Sequence, residues 1–156
     1  MVTDITRSGK VVLELENLKK YFPVERGFFR KVVGHVKAVD GVSLSIYEGE
    51  ALGLVGESGS GKTTLGRCVV RAMDVTEGAI HFNHDHTKVD LATTDSETLM
   101  SVRPSISMSF QDPVSSLDPR WTVLDIVGEP LRRMTSLSSA EIEEKVRNLM
   151  SVGGLE

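Results

Sequence analysis

The sequence holds a single cysteine, Cys68, so no disulfide can form within the chain, and this agrees with a reducing compartment. No apolar run approaches the roughly 20 residues that a helix needs to span a bilayer. The first ten residues are polar and lack the apolar middle of a signal peptide. Any link to a membrane is therefore expected to run through a protein partner. There is no basic excess either. The net charge is −4, which gives no bulk reason to expect nucleic-acid binding. The basic cluster from Arg26 to Lys31 is short and interrupted by Gly27, Phe28 and Phe29. Those aromatics, with Val32 and Val33, are unusual for a plain loop and suggest local packing or a partner surface. Repeats and low-complexity stretches are absent. A 156-residue chain with 40% hydrophobic and 26% charged residues is of one-domain size and ordinary globular balance.

Hydrophobic periodicity divides the chain into strands first and helices later. Val11, Leu13 and Leu15 alternate with Val12, Glu14 and Glu16, the pattern of a half-buried strand. A turn-like stretch with Pro23, Gly27 and Gly34 follows. Val36 to Val39 opens a second strand region, Asp40-Gly41 reads as a turn, and Val42, Leu44 and Ile46 alternate again. Ala51 to Val55 is a short apolar run, read as a buried strand. Helix is expected from Thr63 to Met73, strand from Gly78 to Asn83, and a polar loop from His84 to Val89. Cys68, on the expected helix, reads as a small core residue. Thr94-Asp-Ser-Glu97 has the form of a capping box opening a helix to about Val102, stopped near Pro104. Ile106 to Phe110 reads as a strand, Gln111 to Arg120 as a loop, and Thr122 to Arg133 as a helix that Pro130 could kink. Ser138 and Glu141 form a second capping box, and Gly153-Gly154 end the last helix.

One motif carries chemistry. Gly56-Glu-Ser-Gly-Ser-Gly-Lys62-Thr63 matches G-x-x-x-x-G-K-[ST] in full. A triphosphate is a dense cluster of negative charge. Gly56, Gly59 and Gly61 allow backbone conformations that turn successive N–H groups inward, and Ser58 and Ser60 lie between them. The helix that follows offers its free first-turn amides, at Thr63 and Thr64, and its positive dipole end to the same anion. Lys62 is expected to reach the β- and γ-phosphates, and the Thr63 hydroxyl to bind Mg²⁺.

Beyond this motif the chain resembles the ATP-binding subunits of dipeptide and oligopeptide ABC importers. The resemblance rests on Asn17-Leu-Lys-Lys-Tyr-Phe-Pro23, Gly34-His-Val-Lys-Ala-Val-Asp-Gly-Val-Ser-Leu44, Gly53 through Thr64, and Phe110-Gln-Asp-Pro-Val-Ser-Ser-Leu-Asp-Pro-Arg120. It implies an α/β fold of the P-loop NTPase, ABC ATPase type: an N-terminal antiparallel β portion, an incomplete P-loop core and the start of a helical segment, with residues 1–156 forming part of an ATP-binding domain. ATP and Mg²⁺ are the implied cofactors. Phe22 is implied to stack on adenine, with Tyr21 as the neighbouring candidate. Gln111 matches the glutamine that touches Mg²⁺ or the attacking water, alongside Lys62 as a catalytic group. The implied partners are transmembrane permease subunits, a second ATP-binding subunit in a homo- or heterodimer, and indirectly a solute-binding protein. The implied location is the cytoplasmic, inner face of the membrane, as a peripheral subunit.

The departures are equally specific. The family's Leu-Ser-Gly-Gly-Gln signature, its apolar run ending in Asp-Glu and its switch histidine do not occur in these 156 residues. Pro104 and Ser105 replace a pair that tends to be basic and polar. Two expectations follow. The chain alone binds nucleotide weakly and does not hydrolyse it, and the strand before the P-loop lacks a neighbour and exposes apolar surface.

Other signals are weaker. Thr87-Lys-Val-Asp90 and Asp125-Ile-Val-Gly128 mimic guanine-nucleotide motifs but in reversed order. Ile106 to Phe110 leading to Asp112 could pass for a Walker-B strand, but Gln111 intervenes. His81, His84, Asp85 and His86 resemble a metal cluster, for which a solvated hairpin tip is the simpler reading. A different P-loop enzyme, such as a small-molecule kinase, would need basic lid residues, and only Arg132 and Arg133 form a nearby pair late in the chain.

Overall fold

The computed structural model describes residues 9–28, 30–84, 87–109 and 117–154. The chain divides into two compact units, residues 1–105 and 106–156.

The first unit is built on a four-stranded antiparallel sheet in the order β2-β1-β3-β4. Its strands are β1 (Val11–Arg26), β2 (Lys31–Tyr47), β3 (Glu77–His84) and β4 (Thr87–Asp90). Period-two alternation puts Leu13 opposite Phe82 and Leu15 opposite Ile80 on one face. Those four side chains, with Leu18, Val39, Leu91 and Val102, are buried. Helix α1 (Lys62–Val69) adds Leu65 and Cys68 to the same apolar set. Full burial of a leucine-sized side chain stabilises by about 1.5–3 kcal/mol, so this face holds the sheet and the helix that starts at Lys62. On the opposite face Lys88 pairs with Glu14 at 2.9 Å, and His81 Nε2 lies 3.4 Å from Glu16 Oε1.

Several expectations needed correction. Asp40-Gly41 is not a turn between two strands. β2 runs straight through it, and Gly41, at φ +76°, lies where the pairing shifts register between Leu18↔Val42 and Lys19↔Asp40. The glycine supplies the left-handed backbone that a bulge requires. Pro23 and Gly34 likewise lie in strands rather than in a loop. The polar stretch after His84 returns as β4. Asp95, not Thr94, caps α2 (Ser96–Val102), accepting from the Thr98 N–H at 2.9 Å. Residues 106–109 form no strand.

The largest correction concerns Ala51 to Val55. This run is irregular and exposed, with Leu54 at 47% and Val55 at 99% of full exposure. A strand exists only where a neighbour accepts and donates its ladder hydrogen bonds, and no described strand pairs with it. The bare apolar surface expected before the P-loop is therefore present.

The second unit contains α3 (Val123–Met134) and α4 (Ser139–Val152). Both begin with complete capping boxes, Thr122 with Asp125 and Ser138 with Glu141. Helix α3 runs past Pro130 without ending. Gly128 is buried where a Cβ would stand 3.1 Å from Ile142, so the small residue lets the two helices approach closely. Ile142 and Val146 are buried from α4.

Candidate functional site

The P-loop leads directly into α1, and Gly61 is the residue at the helix N-cap. It takes φ +89°, a left-handed conformation, and provides no side-chain cap. The first-turn N–H groups are therefore left to an external acceptor. Gly59, at φ +82°, has open space on its Cβ side. A Cβ on Gly56 would stand 2.7 Å from the Ser60 hydroxyl oxygen, a contact that turning the Ser60 side chain would relieve.

Lys62 reaches back across the loop. Its Nζ donates to the carbonyl oxygens of Gly56 at 2.8 Å and Glu57 at 2.6 Å, and to the Ser60 hydroxyl at 3.0 Å. The ammonium is thus held over the loop by neutral oxygens, which an anionic oxygen would displace. Two adjoining cavities of about 310 and 340 Å³ share Ala38, Ser60, Gly61 and Lys62; the second also has Ser58, Gly59, Thr63 and Thr64 in its lining. The first takes its other wall from β2, through Ala38, Val39, Asp40 and Val42; the second shares Ala38. The sequence reading missed this wall. Its one trace in the sequence is the obligatory glycine at 61, against which the Ala38 carbonyl packs.

Beside this wall lies a small polar network. The Tyr21 hydroxyl donates to Asp40 Oδ1, and Lys37 Nζ donates to Asp40 Oδ2 at 3.1 Å. The Tyr21 hydrogen bond, followed by that of Lys37, holds the Asp40 carboxyl below its ordinary value, and the same bond to Asp40 raises the Tyr21 hydroxyl. Lys37 also stands 5.3 Å from the Tyr21 ring centroid. Phe22 points to the other face of β1, opposite Val36, with Lys20 Nζ 5.2 Å from its ring centroid. Phe22 is not among the residues lining the two cavities, though it shares a sheet face with Val39, which is. Gln111 lies outside the described residues.

Residues 39–155 match the ABC transporter family. The chain belongs to it. Among curated ABC relatives, the oligopeptide transport ATP-binding protein AppF of Bacillus subtilis is 46% identical over 147 residues, covering 94% of this chain and 44% of the relative. The dipeptide transport ATP-binding protein DppF of Haemophilus influenzae is 40% identical over 154 residues, covering 99% of this chain and 46% of the relative. The chain thus spans less than half the length of these relatives. Among solved structures, a dimeric ATP-binding cassette in a post-hydrolysis state bound to ADP and Pi superposes with a TM-score of 0.68 at 25% identity, covering 92% of this chain and 58% of that one. The α/β, ABC ATPase fold class is thereby established, and the small-molecule kinase alternative falls.

The remaining signals fall only partly within the described residues. In Thr87-Lys-Val-Asp90 the aspartate accepts from the Ile80 and Ala92 N–H groups at 3.0 Å each, so it braces the end of β4. Among the described residues, no group of three or more His, Cys, Asp or Glu side chains could hold a metal ion. His81 and His84 lie on β3; Asp85 and His86 are outside the described residues. Asp112 of the Walker-B alternative is also outside them, and residues 106–109 do not form its strand.

Proposed function

We propose that this chain binds Mg-ATP as part of a subunit that hydrolyses ATP to drive import of peptides or similar small solutes. The observation that carries the binding claim is local. The N-cap of α1 has no side-chain partner for the first-turn amides, and these amides and the Lys62 ammonium border one cavity. That donor set suits a polyphosphate in number, sign and direction. In this reading the amides of residues 59–64 seat the β- and γ-phosphates, and Lys62 exchanges the Gly56 and Glu57 carbonyls for phosphate oxygens. The Thr63 hydroxyl, exposed at the mouth, would hold Mg²⁺, which when bound neutralises charge on the phosphate oxygens. The base would lie along the Val39 wall towards Phe22, whose ring stacks on it. Gln111 is assigned to Mg²⁺ or the attacking water on the resemblance alone.

The peptide-import assignment rests on the relatives, which are named as oligopeptide and dipeptide transport ATP-binding proteins. It brings with it permease subunits, a second ATP-binding subunit and, indirectly, a solute-binding protein, at the inner face of the membrane. Residues 1–156 are read as part of one ATP-binding domain. Because these residues hold no Leu-Ser-Gly-Gly-Gln and no water-polarising glutamate after an apolar strand, we infer that they bind nucleotide without turning it over by themselves.

Titration calorimetry with Mg-ATP tests the binding claim. Saturable heat that disappears in Lys62→Ala is expected; no heat from folded protein overturns it. Steady-state ATPase activity of the chain that is lost in Lys62→Ala would overturn the claim of no turnover.

A further inference from the structure

β1 pairs with β3 only as far as Lys19↔Glu77. Beyond that point β1 and β2 continue alone as a two-stranded ribbon, from Tyr21↔Lys37 out to Arg26↔Lys31. At its end the Arg30 N–H donates to the Gly27 carbonyl at 3.1 Å. Nothing in the β-ladder requires the ribbon to be this long, and its side chains are not distributed as on an ordinary solvated hairpin.

Alternation assigns the faces. Lys20, Phe22, Val24 and Arg26 fall on one side of β1, and the Lys20–Phe22 contact confirms that they share it. Directly opposite partners lie on the same side, which adds Val36, Gly34 and Lys31 from β2. This face therefore carries Phe22, Val24 and Val36 with three cations and no carboxylate. The reverse face is neutralised: Lys19 pairs with Glu77 at 2.6 Å, Lys37 with Asp40 at 3.1 Å, and Glu25 lies there too. Among the described residues no carboxylate pairs with Arg26, Arg30 or Lys31. At the tip, Phe28 is 97% exposed between Arg26 and Arg30. Val24 and Val36 are 39% and 57% exposed.

We propose that the outer part of this face, from Val24 outward, and its tip dock on an anionic lipid surface. Phe28 enters the headgroup region and Arg26, Arg30 and Lys31 meet acidic headgroups. A chain of net charge −4 is repelled by such a surface unless unpaired cations are gathered at one place, as Arg26, Arg30 and Lys31 are at the end of this ribbon. An exposed aromatic flanked by cations suits the water–lipid boundary, where the ring is buried and the charged heads stay wet. A protein partner fits less well, since lysine is depleted in protein interfaces and this face carries Lys20 and Lys31. The outer ribbon would give the chain a direct lipid contact in addition to any protein-mediated one, leaving Phe22 at its base to the nucleotide.

Vesicle flotation of the full 156-residue chain tests this, with neutral phosphatidylcholine vesicles against vesicles of equimolar phosphatidylcholine and phosphatidylglycerol. Binding to the anionic vesicles alone, weakened by added salt, is expected. Arg30→Glu with Lys31→Glu should lower it at least about tenfold, since each basic residue near such a surface contributes about fivefold. Phe28→Ser should also lower it. Lys145→Glu with Arg147→Glu, the same charge change on α4, should leave it intact. Circular dichroism and Mg-ATP titration of each variant separate lost docking from lost folding. The proposal is overturned if folded wild-type protein ignores anionic vesicles, if the α4 control loses binding as far as the ribbon variant, or if the ribbon binds only an acidic polypeptide such as polyglutamate.

Discussion

Gly61 stands so close to the Ala38 carbonyl that a Cβ at position 61 would lie 2.1 Å from that oxygen. The atom in the way is backbone, in the middle of β2, so no side-chain rotation relieves the clash. The left-handed φ of +89° adds strain for any residue with a Cβ. Gly61→Ala must therefore either push the P-loop off β2 or abandon the N-cap geometry that frees the first-turn amides. The expected result is loss of saturable Mg-ATP binding, with unfolding free energy lowered by about 2–4 kcal/mol. Gly66→Ala on α1, where a Cβ meets nothing within 4 Å, is the control and should keep both properties. Equal losses in the two variants would mean that helix α1, not the approach to Ala38, is what the substitution damages.

Asp90 sets an acid limit. Partial burial pushes its carboxyl upward, but the Ile80 and Ala92 N–H groups and the Thr93 hydroxyl all donate to it, and the net pKa is lowered. For a carboxylate whose folded pKa is depressed, the stabilisation is present above the unfolded value, near 3.8, and is lost as pH falls through the folded value. Asp90→Asn keeps one acceptor oxygen and loses the charge, so it should cost about 1–2 kcal/mol at neutral pH. In urea unfolding measured from pH 7 downward, the gap between wild type and variant should stay level to about pH 4 and then close. A gap that persists unchanged at pH 2 would show that charge on Asp90 contributes nothing.

Cys68 is fully buried, and burial is the leading cause that raises its thiol above the ordinary value. Both effects suppress the thiolate that alkylating reagents attack. Iodoacetamide at pH 8 should modify the native chain at least about tenfold more slowly than the urea-unfolded chain. Equal rates would place the thiol in solvent and remove α1 from the apolar face of the sheet.

How far these features could be read beforehand depends on whether their cause was local. The P-loop, Ser138 with Glu141 and the alternation of Leu13 and Leu15 are short-range signals, and each was legible from a few neighbouring residues. Asp40-Gly41 was not, because a glycine with positive φ serves a turn and a bulge equally well. What decides between them is the opposite strand, where Asn17 also takes positive φ and donates its N–H to the Ser43 hydroxyl at 2.8 Å. The cap of α2 moved by one residue because Thr94 and Asp95 are both good cap residues and only backbone geometry selects one. Ala51 to Val55 failed for a third reason: an apolar run encodes the need for a partner strand, not its presence. The β2 wall of the site arises from a contact between residues more than twenty positions apart, and spacing rules do not reach that far.

Arg103 ties the far end of α1 to the rest of its unit. Its two terminal nitrogens donate to the carbonyls of Val70 at 2.6 Å and Arg71 at 2.9 Å, just beyond the last turn. A cation there also meets the negative end of the helix dipole. Helix α1 is eight residues long, about 12 Å, so a brace at its C-terminus bears on the amides at its N-terminus. Arg103→Ala should lower stability by about 2 kcal/mol through two charge-assisted hydrogen bonds. It should also weaken Mg-ATP binding by about threefold, because a less firmly held helix must be ordered when nucleotide binds. Arg103→Lys keeps the charge but cannot span both carbonyls with a planar fork, and should fall between the two. Calorimetry on all three proteins, well below their unfolding temperatures, checks the coupling. If Arg103→Ala loses stability yet binds Mg-ATP as tightly as wild type, the brace serves the fold alone and the P-loop is positioned by Ala38 and the sheet without it.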